Sequence, residues 1–60
     1  MRFITEFDDR NGHWLVLDVS NGKIAGVHSS ATLAALDAMK REQDSLMEEA
    51  AARLGRKSAA

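Results

Sequence analysis

Residues 29–55 read SSATLAALDAMKREQDSLMEEAAARLG, and this stretch decides the fold. At 100° per residue, most of its apolar side chains share one arc about 160° wide, and most of its charged side chains lie opposite. The apolar arc contains Leu33, Ala35, Leu36, Met39, Leu46, Met47, Ala50, Ala51 and Leu54. The pattern predicts one amphipathic α-helix over about residues 30–54, with Ser29 or Ser30 as its N-cap and Gly55 just past its end.

The part of the chain before this helix reads as strands separated by turns. Residues 2–7 and 13–20 are rich in β-branched and apolar residues and predict two strands, and residues 23–28 predict a third. The sequence therefore predicts an α+β fold, a three-stranded antiparallel β-meander followed by one long C-terminal α-helix (βββα). We expect a single small domain over residues 1–60, with a frayed tail at 55–60.

The two turns predict how the strands pair. Residues 8–12 predict a five-residue loop, and Asn21-Gly22 predicts a two-residue hairpin loop, because type I′ turns need positive φ. This pairing sorts the apolar residues onto two faces. The face expected beneath the helix carries Phe3, Phe7, Leu15, Leu17, Val19 and Ile24. The face expected to stay uncovered carries Ile4, Trp14, Val16 and Val27. We expect Leu33, Leu36 and Met39 to close the fold over the first face.

The small size of the chain predicts an assembly. A chain of 60 residues buries only about 60 % of the surface that its unfolded form exposes. The absence of Cys excludes disulfides and thiolate zinc sites, and the two His residues do not suggest a metal centre. A second copy of the chain is the remaining stabilising device, and a symmetric homodimer is the commonest closed assembly.

Element lengths indicate where that second copy binds. The helix, at roughly 36 Å, outruns strands of roughly 20–26 Å and leaves the apolar residues of its second half uncovered. Either this half or the uncovered sheet face forms the dimer contact. Gln43, near the middle of the apolar arc, either marks where the helix leaves the sheet or meets its mate across a helix–helix seam. The predicted interaction residues are Trp14, Val16, Val27, Gln43, Leu46, Met47, Ala50 and Leu54.

Charge and hydropathy argue against several classes of function. Eight Lys and Arg against nine Asp and Glu give a net charge of -1, which is no basic footprint for nucleic acid. The only candidate phosphate contacts are Arg53, Arg56 and Lys57, at the end of the helix. No apolar run reaches the ~20 residues of a membrane span, and the N-terminus lacks a signal-peptide core. With the absence of Cys, this predicts a cytoplasmic protein.

The residues that could carry catalysis do not form a recognisable motif. His28 precedes Ser29 and Ser30, but no nucleophile elbow or oxyanion loop accompanies them. The segment 8–12 resembles the start of a calcium loop but lacks the downstream bidentate Glu. We therefore expect no catalytic, cofactor-binding or metal-binding residues, and a small enzyme is the remote alternative.

The order of elements resembles known small proteins. Residues 14–39 run strand, Asn-Gly turn, strand, Ser-Ser and an Ala/Leu-rich helix. This order resembles the small ββα and βββα proteins common in phage and bacterial genomes. It also resembles the N-terminal part of HicB-type antitoxins, which neutralise a small RNA-cleaving toxin, although no Pro-containing segment follows Asp18 here. The resemblance implies a role in binding a protein partner.

The sequence thus predicts a small non-enzymatic interaction module that homodimerises and modulates or inhibits a larger protein. A phage-type inhibitor, an antitoxin-like protein or an adaptor would act in this way. The alternative is a nucleic-acid-binding accessory protein that uses the basic helix end.

Overall fold

The computed structural model describes the backbone of residues 1–59 and the side chains of residues 1–55. Its elements are β1 (Phe3–Asp8), β2 (His13–Asp18), β3 (Lys23–His28) and α1 (Ala31–Ala59). The strands form one antiparallel sheet in the order β1-β2-β3. The predicted α+β fold, a β-meander followed by one long helix, is confirmed.

Both hairpins close through the same four-residue loop after a strand-ending aspartate. Asp8 pairs with His13 across the first loop, and Asp18 pairs with Lys23 across the second. The loop glycines have φ of 69° and 71°, and each N–H donates to the aspartate carbonyl at 2.8 Å. Each carboxylate also accepts the N–H two residues on, at 3.2 Å in the first loop and 3.0 Å in the second. The predicted five-residue and two-residue loops are therefore wrong.

The pairing of the strands changes which side of β2 faces the helix. Phe3 pairs with Asp18 rather than with Leu17, a shift of one residue from the predicted register. Because side chains alternate along a strand, such a shift exchanges the two faces of β2. Val16, predicted on the uncovered face, is 0 % exposed beneath α1, and Leu15 and Leu17 point to the opposite side. The predicted core face of β2 is wrong.

A bulge in β3 shapes the sheet where the helix crosses it. Val16 pairs with Gly26 and Leu17 pairs with Ile24, so Ala25 is an extra residue between two paired positions. Ala25 packs against the core. The bulge keeps Gly26 on the helix side and Ile24 on the other, so β3 contributes to both surfaces of the sheet.

The core between sheet and helix is small and uses only alanines from α1. It consists of Phe3, Val16, Ala34 and Ala38, with Trp14 and Ala25 packed against it. Leu33, Leu36 and Met39, expected to close the fold, are 49 %, 58 % and 68 % exposed. The prediction of which helix face covers the sheet is therefore wrong. Short alanine side chains let the helix backbone approach the sheet closely, and larger side chains point outward.

The two ends of the helix differ in how well the sequence predicts them. Ser30 is the N-cap, since its Oγ accepts the N–H of Leu33 at 3.2 Å and its carbonyl accepts the N–H of Ala34 at 3.1 Å. Gly55 lies inside α1 instead of ending it. Within residues 1–55, positive φ occurs only in the two hairpin glycines, so Gly55 does not form a left-handed cap.

The helix is much longer than the sheet that it covers. At about 1.5 Å per residue α1 runs about 43 Å, twice the length of a six-residue strand at about 3.3 Å per residue. The molecule accordingly measures 51 × 20 × 14 Å. The expected projection of the helix past the sheet is present.

Candidate interaction surfaces

The side of α1 that faces away from the sheet carries most of its large apolar side chains. Four of these are 58 % to 68 % exposed: Leu36, Met39, Leu46 and Met47. At 100° per residue, Gln43 lies about 140° around the helix from the buried Ala38. The polar arc of the helix therefore faces the sheet, and the apolar arc faces solvent. We call this surface the outer helix stripe and define it as Leu36, Met39, Gln43, Leu46, Met47 and Ala50.

A polar cluster between β3 and α1 fixes this rotation of the helix. His28 Nε2 donates to Asp37 Oδ2 at 2.6 Å, and Arg41 Nε donates to Asp37 Oδ1 at 2.9 Å. Both contacts lower the pKa of Asp37, the hydrogen bond from His28 most strongly. Asp37 and Arg41 belong to the charged side of the helix, which the sequence predicts to face away from the sheet. They form an ion pair, but this pair faces the sheet beside Gly26.

A second polar cluster ties β1 and β2 to the middle of the helix. Arg2 donates from Nε and Nη2 to the two carboxylate oxygens of Asp18, at 3.1 and 3.0 Å, and from Nη1 to Ser45 Oγ at 3.1 Å. The backbone N–H of Phe3 donates to Glu42 Oε1 at 2.6 Å. Asp18 is only 6 % exposed, and hydrogen bonds from Arg2 and then Ser20 lower its pKa to about 2. Because both clusters use side chains of the polar arc, a rotated helix would lose them.

The side of the sheet away from α1 is a second apolar surface. Residues paired directly across antiparallel strands share a face, and Leu17 pairs with both Ile4 and Ile24. Ile4 and Ile24 are 40 % and 57 % exposed. We call this surface the outer sheet face and define it as Ile4, Leu15, Leu17, Ile24 and Val27. It points away from the outer helix stripe, because helix and sheet form two layers.

The predicted interaction residues are divided between these two surfaces and the core. Val16 is fully buried and unavailable to a partner in the folded chain. Trp14 is half-buried on the helix side of β2, where its ring lies 5.2 Å from that of Phe7, centroid to centroid. The placement of these two residues on an uncovered face is wrong. Val27 lies on the outer sheet face and is 53 % exposed. The helix residues are all exposed: Gln43, Leu46, Met47, Ala50 and Leu54.

Of the predicted phosphate contacts, the structure locates only one side chain. Arg53 Nη2 lies 3.8 Å from Glu49 Oε2, and the side chain of Arg53 is 77 % exposed. An exposed ion pair of this length contributes little to stability. Arg56 and Lys57 lie outside the residues whose side chains the structure describes.

Two of the residues considered for catalysis make contacts that support the fold. His28 hydrogen-bonds to Asp37, and Ser30 caps the helix. In the described part of the chain, no three His, Cys, Asp or Glu side chains are grouped as metal ligands. Every buried side-chain nitrogen or oxygen described has a hydrogen-bond partner.

Comparison of the chain with protein-family models, with curated proteins and with solved structures finds no match. In the described residues, α1 is not apolar enough over a sufficient length to cross a membrane.

Proposed function

We propose that this protein is a non-enzymatic interaction module that homodimerises through the outer helix stripe and binds a larger protein through the outer sheet face. One observation carries the proposal. The largest apolar side chains of α1 lie on the side of the helix that its own sheet leaves uncovered.

Burial of the outer helix stripe would stabilise the protein. Burying a Leu or Met side chain contributes about 1.5–3 kcal/mol, and the side chains of Leu36 and Met39 are more than half exposed. Each therefore leaves about 1–2 kcal/mol unused in the monomer. The monomer core is small, since it contains two alanines and two larger residues, with Trp14 and Ala25 packed against it. A second copy that covers the stripe would supply stability that the core lacks.

The spacing of the stripe fits another helix. Leu36, Met39, Gln43, Leu46 and Ala50 follow each other at alternating intervals of three and four residues. Such intervals keep one seam of a helix against a neighbouring helix, as in coiled coils. A second copy offers a seam of the same spacing and length, so the two seams could pack along each other. The outer sheet face, which has no such seam, remains available to a different protein.

Sedimentation of paired variants tests the dimer. The wild type should sediment at twice the chain mass of 6.6 kDa at micromolar concentration. Leu46→Asp places a charge in the stripe and should shift the protein to monomer, with loss of thermal stability. Ala52→Asp is the matched control, because Ala52 lies on the projecting part of the same helix about 180° from the centre of the stripe. It should remain dimeric.

Two results would overturn the proposal. A wild type that is folded and monomeric at these concentrations would remove its basis. Equal effects of Leu46→Asp and Ala52→Asp would show that charge or helix propensity, and not the stripe, controls assembly.

A further inference from the structure

The two hairpin loops repeat the pattern Asp-x-x-Asn-Gly, but their asparagine side chains make different contacts. Both asparagines are exposed, and each is followed by a glycine. In the first loop, Asn11 Nδ2 donates to Asp8 Oδ2 at 2.7 Å. In the second loop, Asn21 Oδ1 accepts the backbone N–H of Lys23 at 2.9 Å. One side-chain amide is therefore held by its nitrogen and the other by its oxygen.

The aspartates that begin the two loops account for this difference. Arg2 donates to both carboxylate oxygens of Asp18 at 3.0 to 3.2 Å, and Ser20 Oγ donates to Oδ1 at 2.6 Å. Arg10, which takes the place of Ser20 in the first loop, has no hydroxyl group. Its backbone N–H donates to Asp8 Oδ1 at 3.2 Å, so Oδ2 remains for the asparagine amide.

The difference bears on a reaction of asparagine when glycine follows it. The glycine backbone nitrogen attacks the asparagine Cγ, so that a new N–Cγ bond closes a five-membered succinimide ring. The Cγ–Nδ2 bond breaks, and ammonia leaves with the proton that the glycine nitrogen gives up. Water then opens the ring at one of its two carbonyls. The product is either aspartate or isoaspartate, in which the main chain runs through the former side chain.

We propose that Asn21 is a site of spontaneous deamidation and that the contact with Asp8 protects Asn11. Attack on the Cγ of Asn21 places negative charge on Oδ1, to which the Lys23 N–H already donates. A backbone donor positioned where negative charge develops lowers the barrier to attack.

The contact of Asn11 has the opposite effect. Its amide donates to a carboxylate, which increases the electron density of the amide and makes Cγ a poorer electrophile. A hydrogen bond to a charged acceptor is also stronger than one between neutral groups, so it restrains the side chain that must rotate for ring closure.

A shared feature slows the reaction at both sites in the folded chain. The N–H groups of Gly12 and Gly22 each donate to an aspartate carbonyl at 2.8 Å. The attacking nitrogen must give up this hydrogen bond, so both sites should react more slowly than in an unfolded chain. Because the restraint has the same length in both loops, the contacts of the asparagine side chains decide between them.

Isoaspartate at position 21 would alter the loop that joins β2 to β3. The rerouted main chain is longer, whereas the loop closes through the hydrogen bond from Gly22 N–H to the carbonyl of Asp18. The carboxylate of Asp18 also binds Arg2, so the altered loop would disturb a contact between β2 and the start of the chain. Isoaspartate should therefore lower the Tm.

Incubation of the folded chain in mildly alkaline buffer, followed by digestion and tandem mass spectrometry, measures conversion at each asparagine. Conversion at residue 21 should be about tenfold faster than at residue 11, which is the effect of about one hydrogen bond on a rate. The same incubation in urea should remove the preference, because both sites are then Asn-Gly pairs in an open chain.

Asp8→Ala is the matched variant, since it removes the carboxylate that holds Asn11 and keeps the carbonyl that binds Gly12 N–H. It should raise the rate at residue 11 towards that at residue 21 and leave residue 21 unchanged. Equal conversion of both residues in the folded wild type, or faster conversion of residue 11, would overturn the proposal. A preference that persists in urea would also overturn it, because the folded contacts would then not be the cause. If circular dichroism shows that Asp8→Ala is unfolded, the comparison of wild type in buffer and in urea still decides.

Discussion

Gly26→Ala tests the contact that sets the rotation of α1. Gly26 lies opposite Val16, on the side of β3 that faces the helix. A Cβ added here would lie 2.5 Å from Asp37 Oδ2 and 3.3 Å from His28 Nε2. Asp37 cannot turn aside freely, because His28 and Arg41 hold its two oxygens. The only residue that fits beneath this carboxylate without displacing it is glycine.

The destabilisation expected for Gly26→Ala follows from the short distance between the added Cβ and Asp37 Oδ2. Ordinary contact needs about 3.4 Å, so the carboxylate must retreat by about 0.9 Å, enough to break its hydrogen bond to His28. Hydrogen bonds to charged groups contribute about 1.5–3 kcal/mol, and Asp37 is largely shielded from solvent. Replacing glycine by alanine in a strand stabilises the folded chain by about 0.5–1 kcal/mol, which partly offsets this loss. We therefore expect Gly26→Ala to lower the free energy of unfolding by about 1–2 kcal/mol and to lower the Tm by about 5–15 °C.

Thermal unfolding followed by circular dichroism measures this effect, with all variants at one protein concentration because an oligomer's Tm depends on it. Gly55→Ala is the matched control. Gly55 lies inside α1 with nothing within 4 Å of its added Cβ, so the same substitution should stabilise by about 0.8–1 kcal/mol. The double variant Gly26→Ala/Asp37→Ala should show little further loss beyond Asp37→Ala. A Gly26→Ala protein as stable as wild type, or a full loss on the Asp37→Ala background, would refute the reasoning.

Two further predictions concern acid stability and the outer sheet face. Because the pKa of Asp18 falls from 3.8 to about 2 on folding, the stability it contributes above pH 3.8 is lost as the pH falls towards 2. Asp18→Asn should be less stable than wild type at neutral pH and lose less stability across that pH range, and identical losses would contradict this. Ile24→Asp, on the outer sheet face, should leave the sedimenting dimer intact and abolish capture of a protein partner that the wild type retains. A partner retained equally by Ile24→Asp would place its binding elsewhere.

Element order and approximate bounds could be predicted from the sequence because they depend on local signals. Ser30 caps the helix, and Gly12 and Gly22 adopt positive φ in the loops, as their residue types favour. The loop type is also encoded locally. Both hairpins contain Asp-x-x-Asn-Gly, at residues 8–12 and 18–22, and this repetition predicts one loop used twice. A prediction based on Asn21-Gly22 alone leaves out Asp18, whose carbonyl and carboxylate accept hydrogen bonds from the backbone of the second loop.

The sequence does not determine which side of each element contacts the core, because β2 is apolar on both sides. His-Trp-Leu-Val-Leu-Asp offers Leu15 and Leu17 on one face and Trp14 and Val16 on the other. A one-residue change in register selects between them. The helix face that contacts the sheet is also ambiguous, for a different reason. The apolar arc identifies the surface whose burial would stabilise the protein most, but it does not indicate whether the sheet of the same chain or another molecule buries that surface.

The choice of alanines for the helix–sheet contact explains why the larger side chains lie outward. Ala34 and Ala38 bring α1 close enough for Asp37 to reach His28 across Gly26, and bulkier residues there would force the layers apart. The polar contacts between α1 and the sheet depend on this short distance.

The opposite orientation of the two apolar surfaces restricts how copies can assemble. A second copy on the outer helix stripe leaves both outer sheet faces on the far sides of the dimer. If each outer sheet face also paired with the same face of another dimer, every dimer would bind two further dimers. Because these faces lie on opposite sides of the dimer, such contacts would not form a closed assembly. Association would then continue into an open filament. A discrete dimer therefore requires only that the outer sheet face does not pair with itself, so the larger protein proposed to bind that face would be a different molecule. Because each dimer carries two such faces, a partner with paired sites would bind far more tightly than one sheet face alone allows.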